Sequence, residues 1–359
     1  MKELRTGVTT GLCAAAAAKA ATAMLLTSDT VGQIELTAKN GETKTFEITD
    51  AAYDTHMARC AVQKDAGDDP DVTHGIKIFA AVSKTENEDI EIDGGEGIGR
   101  VTKPGLKATV GGAAINPVPM EMIKTAIEGE CKAKNYTGGI KAIISIPGGE
   151  KIAKKTMNER LGIVGGLSIL GTTGIVEPMS AKAIVDTIKT EIDVQTACGK
   201  TKLLITPGNY GREFAGKTLG LNLDDAVKCS NFIGETLDYA CMKGIKQIIL
   251  VGHAGKMVKL AGGIMNTHSK TADCRMEIIA AHLALTGAGL EMIRQIMSCV
   301  TVEAAVETMK QIGANETVWE SIGEKIGYHL KERTHGSLEV EYIVFTQEHG
   351  VLCKGLITK

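Results

Sequence analysis

Gln247-Ile248-Ile249-Leu250-Val251-Gly252-His253-Ala254-Gly255-Lys256 is a short apolar run that stops on a glycine and passes into polar residues. Leu203-Leu204-Ile205, closed by Pro207-Gly208, has the same form. Helices are predicted around these runs, over 180–194, 231–243, 270–286, 289–297, 302–311 and 316–333, with Gly244 placed as a C-cap. Strand, loop and helix in alternation predict an α/β layer on a parallel sheet, Rossmann-like and three-layered. Residues 340–345 and 351–357, around Glu348-His349-Gly350, read as a terminal hairpin.

Upstream the period changes. Residues 34–38 and 44–48 alternate by two across Asn40-Gly41, a tight-hairpin dipeptide. Strand-like runs follow at 58–63, 75–84 and 89–93, and a helix at 118–133. Another helix is predicted over 11–26, capped by Thr9 or Thr10 and built on the alanine run 14–18. Such small side chains suit close packing on a sheet or a ligand. The expected fold class is therefore α/β. An α+β domain with a largely antiparallel sheet spans 1–180, and the Rossmann-like α/β domain spans 181–359.

Composition narrows the function. The chain has 359 residues, 42 of them glycine, about 12% against a usual ~7%. Only twelve are aromatic, too few and too scattered for the stacking platforms of single-strand nucleic-acid binders. Forty Lys and Arg against 43 Asp and Glu leave a net charge of −3 and no basic stripe, which argues against nucleic acid as a partner. No apolar run is read as a membrane span, and Met1-Lys2-Glu3-Leu4-Arg5 carries charge without an apolar secretion core. The nine cysteines are odd in number and never spaced as Cys-x-x-Cys, so reduced thiols in the cytoplasm are expected.

Several stretches could carry chemistry. Gly211-Arg212-Glu213-Phe214-Ala215-Gly216-Lys217-Thr218 matches the phosphate-loop pattern, which would make the chain a nucleotide hydrolase. Yet Leu219-Gly220-Leu221-Asn222 is a poor first helical turn for that loop, and no strand ends in a magnesium-binding aspartate. Gly95-Glu96-Gly97-Ile98-Gly99 follows a strand, but Pro104 prevents a helix from opening at Lys103, so a turn between strands is expected. Lys64-Asp65-Ala66-Gly67-Asp68-Asp69-Pro70-Asp71 crowds four acids into seven residues. Either the loop is merely solvated, or it is a metal site, or one of Asp65, Asp68, Asp69 and Asp71 has a raised pKa and acts as a base. It lacks the order of a calcium loop, and His268 with Cys274 has no second pair to complete a zinc shell, so no metal site is assigned. Gly252, His253, Gly255 and Lys256 sit where open α/β sheets place ligands, with Asn266, His268 and Asp273 in the polar stretch that follows. Thr172-Thr173-Gly174 offers hydroxyls and amides ahead of a helix, an ordinary cap or an anion site.

Taken in order, these stretches resemble the CbiD family. The likeness rests on Leu4-Arg5-Thr6-Gly7-Val8-Thr9-Thr10-Gly11-Leu12-Cys13 and the acidic loop, then on Ala113-Ala114-Ile115-Asn116-Pro117-Val118-Pro119 and Thr156-Met157-Asn158-Glu159-Arg160. It continues through the run 165–176, Gly208-Asn209-Tyr210-Gly211, Ser230-Asn231-Phe232 and Gly262-Gly263-Ile264-Met265-Asn266-Thr267-His268. This chain departs from the family pattern at Gly111-Gly112, where the family usually has an acid before Ala113, and at Met120, usually Arg, for which Lys103 and Lys124 are the nearby substitutes. The resemblance implies transfer of a methyl group from S-adenosylmethionine to C1 of cobalt-precorrin-5B, giving cobalt-precorrin-6A in anaerobic cobalamin synthesis. It implies a tetrapyrrole substrate that brings its own cobalt, and is compatible with a homo-oligomer and with hand-over from other enzymes of the pathway. Residue chemistry then assigns the base to the 65–71 aspartates. It assigns the substrate's carboxylates to Thr9, Thr10, Lys64, Arg160, Thr172, Thr173 and His268, and the methyl donor to Gly208, Asn209, Gly252, His253, Gly255 and Asn266. A phosphate-loop hydrolase and a non-catalytic corrinoid carrier remain as alternatives.

Overall fold

The structure is a computed structural model and describes residues 4–224 and 226–358; Met1, Lys2 and Glu3 of the charged start lie outside them. The chain divides into two compact units, Met1–Ser180 and Ala181–Lys359.

The first unit begins with β1 (Gly7–Val8) and α1 (Thr10–Thr27). Helix α1 has no polar face: Leu12 to Ala18, Ala20, Ala21 and Met24 are all fully buried. Alanine is required because its neighbours approach the helix backbone from several sides. By length and composition α1 is apolar enough to cross a membrane, which corrects the expectation that no such run exists, but 83% of it is buried inside the protein. Next come β2 (Gln33–Thr37) and β3 (Thr43–Glu47), paired as the predicted hairpin with Gly41 at φ 89°. After them run β4 (Thr49–Tyr53), β5 (Met57–Gln63), β6 (Lys77–Thr85), β7 (Ile90–Gly94) and β8 (Arg100–Val101). The unit finishes with α2 (Pro117–Ala133), β9 (Gly139–Ser145), α3 (Gly149–Ala153), β10 (Ile163–Val164) and β11 (Ile175–Val176).

The main sheet has the order β4-β5-β6-β9-β7, antiparallel except for the β7–β9 pair. Ala58, Cys60 and Val62, Ile78, Ala80 and Val82, and Ile140, Ala142 and Ile144 are buried at period two and share one core with α1 and α2. β1 pairs with β11, which ties the start of the unit to its end. The 95–99 stretch is the expected glycine turn: a Cβ at Gly97 would lie 1.8 Å from the Ile146 carbonyl oxygen.

The second unit runs α4 (Ala181–Ala197), β12 (Lys202–Thr206), α5 (Asn209–Lys217), β13 (Ala226–Lys228), α6 (Ile233–Met242), β14 (Gln247–His253) and α7 (Ala254–Met257). A 3-10 turn leads to α8 (Arg275–Leu285), α9 (Leu290–Ser298), α10 (Val302–Gln311), α11 (Asn315–Thr334) and the hairpin of β15 (Glu339–Thr346) and β16 (Gly350–Ile357). The sheet order is β13-β12-β14-β15-β16, parallel except for β16. This is the flavodoxin-type variant of the doubly wound sheet, in place of the 3-2-1-4-5-6 dinucleotide order. Leu203, Ile205, Ile248, Leu250, Val340 and Val344 enter a core shared with α4, α6 and α8 to α11. Their alternates Leu204, Ile249, Val251, Ile343 and Phe345 face α5, where Phe214 stacks on Phe345 at 3.9 Å between centroids. Three layers result.

Candidate functional site

In the second unit the chain turns to one side of β12 to make β13 and then crosses to the other side for β14. The carboxyl ends of β12 and β14 therefore form a topological switch point, where backbone loops part and leave a crevice. Gly208 lies there in extended backbone, and a Cβ would meet nothing nearer than Lys256 Nζ at 3.9 Å. Helix α5 starts with no side-chain cap, so its first amides await an acceptor. Thr206 Oγ1, at the end of β12, is buried with no partner among the described residues. Lys256 Nζ donates to the carbonyls of Pro207 (2.6 Å) and Ser230 (3.3 Å), tying together the loops that follow three strand ends, and burial pushes its pKa below the ordinary value.

His253 has a defined role here. Its Nδ1 accepts the Gly255 N–H at 3.2 Å, so the neutral ring carries its proton on Nε2, 2.8 Å from Glu303 on α10. The Tyr210 ring, 60% exposed, lies 6.1 Å from the His253 ring. Gly208, Asn209, Gly252, His253 and Gly255 are thus brought together. Asn266 bridges to Phe232, beside the Ser230–Asn231 loop. His268 is exposed, with its Nδ1 accepting the Lys270 N–H.

The phosphate-loop reading fails. Residues 209–217 are helix α5 itself, so Lys217 ends the helix where a phosphate loop would precede one. Lys217 is 77% exposed and pairs with Glu213 one turn back. Gly211 is there for packing, since a Cβ would sit 2.5 Å from the Val251 carbonyl oxygen.

In the first unit the acidic loop is neutralised residue by residue. Asp65 takes a bidentate pair from Arg5, and that contact with the guanidinium holds its carboxyl at about 2. Burial opposes ionisation of Asp71, but hydrogen bonds from Lys64 Nζ (2.6 Å) and from Thr73 keep its pKa below the ordinary value. Asp68 accepts the Arg5 N–H and Asp69 the Met179 N–H. This corrects the raised-pKa base for Asp65 and Asp71: both are held ionised, and they orient cations. Among the described residues no three His, Cys, Asp or Glu converge as metal ligands.

The hydroxyls near α1 are largely committed. Thr9 Oγ1 caps the helix by accepting the Leu12 N–H, and Thr10 Oγ1 accepts the Leu170 N–H at 2.8 Å. Thr173 closes its own turn with Ile175, while Thr172 is exposed. Arg160 lies in the turn after α3, where its carbonyl accepts Lys103 Nζ. Lys124 is spent on Glu128, and Met120 packs against the core. A cavity of about 670 Å³ opens beside Lys64 and Asp65, lined also by Arg5, Lys44, Phe46 and His74. Sequence reasoning assigned no role to Arg5, Lys44, Tyr210, Thr206 or Glu303, because each gains its meaning from a partner distant in the chain.

With this geometry in place, comparison with known proteins is direct. The CbiD family model matches residues 1–178, and the model of the CbiD C-terminal domain matches residues 266–355. A Ruminiclostridium cellulolyticum protein named cobalt-precorrin-5B C(1)-methyltransferase is 52% identical over 345 residues, 96% of this chain and 90% of that protein. One of the same name from Alkaliphilus metalliredigens is 41% identical over 351 residues, 98% of this chain and 92% of that protein. A crystal structure of the cobalamin biosynthesis protein CbiD from Archaeoglobus fulgidus shares 30% identity, covering 76% of this chain and 84% of that one, with a TM-score of 0.42.

Proposed function

Because the chain belongs to the CbiD family, we propose that it methylates C1 of cobalt-precorrin-5B, with S-adenosylmethionine as the donor, in anaerobic corrin-ring assembly. The observation that carries this reading is the 52% identity, over 345 residues, to a protein bearing that name.

S-adenosylmethionine supplies an electrophilic sulfonium methyl, open to in-line displacement by a ring carbon. The protein's task is then to orient two reactants and keep water away more than to provide a nucleophile. The switch point in the second unit suits the donor. Gly208 lets backbone come close, and the uncapped amides of α5 complement a carboxylate. Tyr210 and His253 offer an aromatic pair to a purine, with Glu303 fixing the His253 ring. Gly252, Gly255, Asn209 and Asn266 shape the loops around them. The substrate is assigned to the first unit, where Lys64 and Thr172 remain able to meet carboxylates. No base is drawn from Asp65 or Asp71, which hold Arg5 and Lys64 in place. The nine unpaired cysteines agree with a cytoplasmic home.

The test is incubation of purified protein with cobalt-precorrin-5B and donor carrying a ¹³C-methyl group. Label should appear at C1 of the product. Corrinoid binding with no label transferred would favour the carrier reading and reject this one. Gly208→Val, at a position with open space and ordinary backbone, should raise the KM for the donor and leave folding intact.

A further inference from the structure

Lys64 is an odd residue to bury. Its side chain is 1% exposed, yet it ends in an ammonium and lines the 670 Å³ cavity. It follows β5, and its backbone is clamped on both sides: its N–H donates to the Ile76 carbonyl and its own carbonyl accepts the Gly75 N–H. The backbone is thereby fixed, and the burial of the side chain keeps its head from water. Among the described residues its one hydrogen bond goes to Asp71 Oδ2 at 2.6 Å. An ammonium has three donors, so two remain unspent. Asp71 is itself locked, its Oδ1 taking the Thr73 N–H at 2.8 Å and the Thr73 hydroxyl at 2.6 Å. The carboxylate therefore aims the ammonium as well as balancing it.

The rest of the cavity has matching chemistry. Arg5 and Lys44 add two cations, and Asp65 and Glu47 are the two carboxylates on its wall, Asp65 already engaged by Arg5. On the wall three cations face two carboxylates, while Asp71 and Glu42 pair with Lys64 and Lys44. Phe46, Val8 and Val62 give it an apolar side. A buried cation with free donors, in a chamber with an apolar wall, is complementary to a carboxylate on a short hydrocarbon stem. The volume lies within the range of small-ligand pockets, enough for one edge of a large macrocycle.

We infer that this cavity seats a carboxylate side chain of the tetrapyrrole, with Lys64 as the contact and Asp71 as the residue that positions it. The identity of the macrocycle rests on the methyltransferase reading; the carboxylate chemistry does not.

The probe is uroporphyrin, a stable octacarboxylate tetrapyrrole, titrated by its own fluorescence against the full-length protein. Wild type should bind it, and Lys64→Met should bind at least about ten-fold more weakly, the loss expected for one charge-assisted hydrogen bond. Lys44→Ala, at a half-buried residue of the cavity wall outside the core, should weaken binding two- to three-fold, and S-adenosylhomocysteine should bind all variants equally. In turnover, Asp71→Asn should raise the KM for the tetrapyrrole several-fold with kcat unchanged, a split that a loss of folded protein would not produce. Failure of wild type to bind uroporphyrin, or wild-type binding by a folded Lys64→Met, overturns the inference. Lys64-dependent binding with no methyl transfer in wild type supports the cavity and rejects the methyltransferase reading alone.

Discussion

Asp71→Asn is the sharpest perturbation of the first unit. It removes the counter-charge of an ammonium whose side chain is 1% exposed, across a contact of 2.6 Å. Breaking a buried pair costs about 3–5 kcal/mol, because one charge is left desolvated and alone. The Asp71 side chain is itself 27% exposed, so water lightens the loss, and the lower end, about 3 kcal/mol, is expected. Lys64→Met leaves the wetter partner behind, with both Thr73 hydrogen bonds intact, and should cost about 1 kcal/mol. The double variant removes both charges, and replacing a whole pair is close to neutral. It should therefore cost about 1–2 kcal/mol, well below the sum of the single changes. The assay is equilibrium urea unfolding at pH 7 followed by far-UV circular dichroism. Trp319, the one tryptophan, is buried in the second unit and reports that unit separately by fluorescence. A cost below about 1 kcal/mol for Asp71→Asn, or singles that simply add in the double, would refute the account of a coupled buried pair.

Three further outcomes are expected. Lys217→Ala should change stability by less than about 0.5 kcal/mol, since it breaks only an exposed pair within α5, and ATP hydrolysis that depends on Lys217 would contradict the helix assignment. Acid should weaken the first unit: the Asp65 carboxyl is held at about 2 against an ordinary 3.8, and Asp71 is also lowered, so their contribution is complete above about pH 4 and fades as pH falls toward 2. A thermal midpoint that stays level from pH 5 to pH 2 would count against those pairs. Native-state alkylation read by mass spectrometry should modify exposed Cys198 and Cys274 first. Cys13, Cys60 and Cys229, whose thiols burial pushes up to about 12, should react only on unfolding, and rapid labelling of any of them would show the core to be open.

Much of the fold is written in local pattern. The helices at 118–133 and 302–311 and the Asn40-Gly41 hairpin fall within a residue or so of the observed α2, α10 and β2–β3, because period and turn chemistry act over a few residues. Helix α5 was hidden. Gly211 and Gly216 look like loop residues, yet Gly211 is glycine because the helix lies against Val251, a contact forty residues away. The insertion of β9 between β6 and β7 is equally invisible, as strand order is fixed by packing on α1 and α2. The acidic loop could be found, but its meaning could not. Crowded aspartates suggest a raised pKa only when unpaired, and Arg5, sixty residues upstream, settles Asp65. Lys64 was picked out as a cation for carboxylates, while its burial, which gives that role its force, comes from the folded unit alone.

The pairing of β1 with β11 joins residues made at opposite ends of the first unit's synthesis. Helix α1 leaves the ribosome early, but residues 175–176, which close the unit over its start, follow roughly 7–30 s later at ordinary rates of synthesis. Before then β5, β6 and α2, which share a core with α1, have already been made, so this 18-residue helix that passes for a membrane span has partners to pack on. Lys19 is the only charge in it and lies at its centre. There it would cost about 2.5–3.5 kcal/mol to place in a bilayer. In the finished protein it donates to the Glu35 carbonyl at 2.8 Å and faces Glu130 at 3.8 Å. Lys19 thus opposes insertion of this helix into a bilayer, and the folded unit supplies its ammonium with partners.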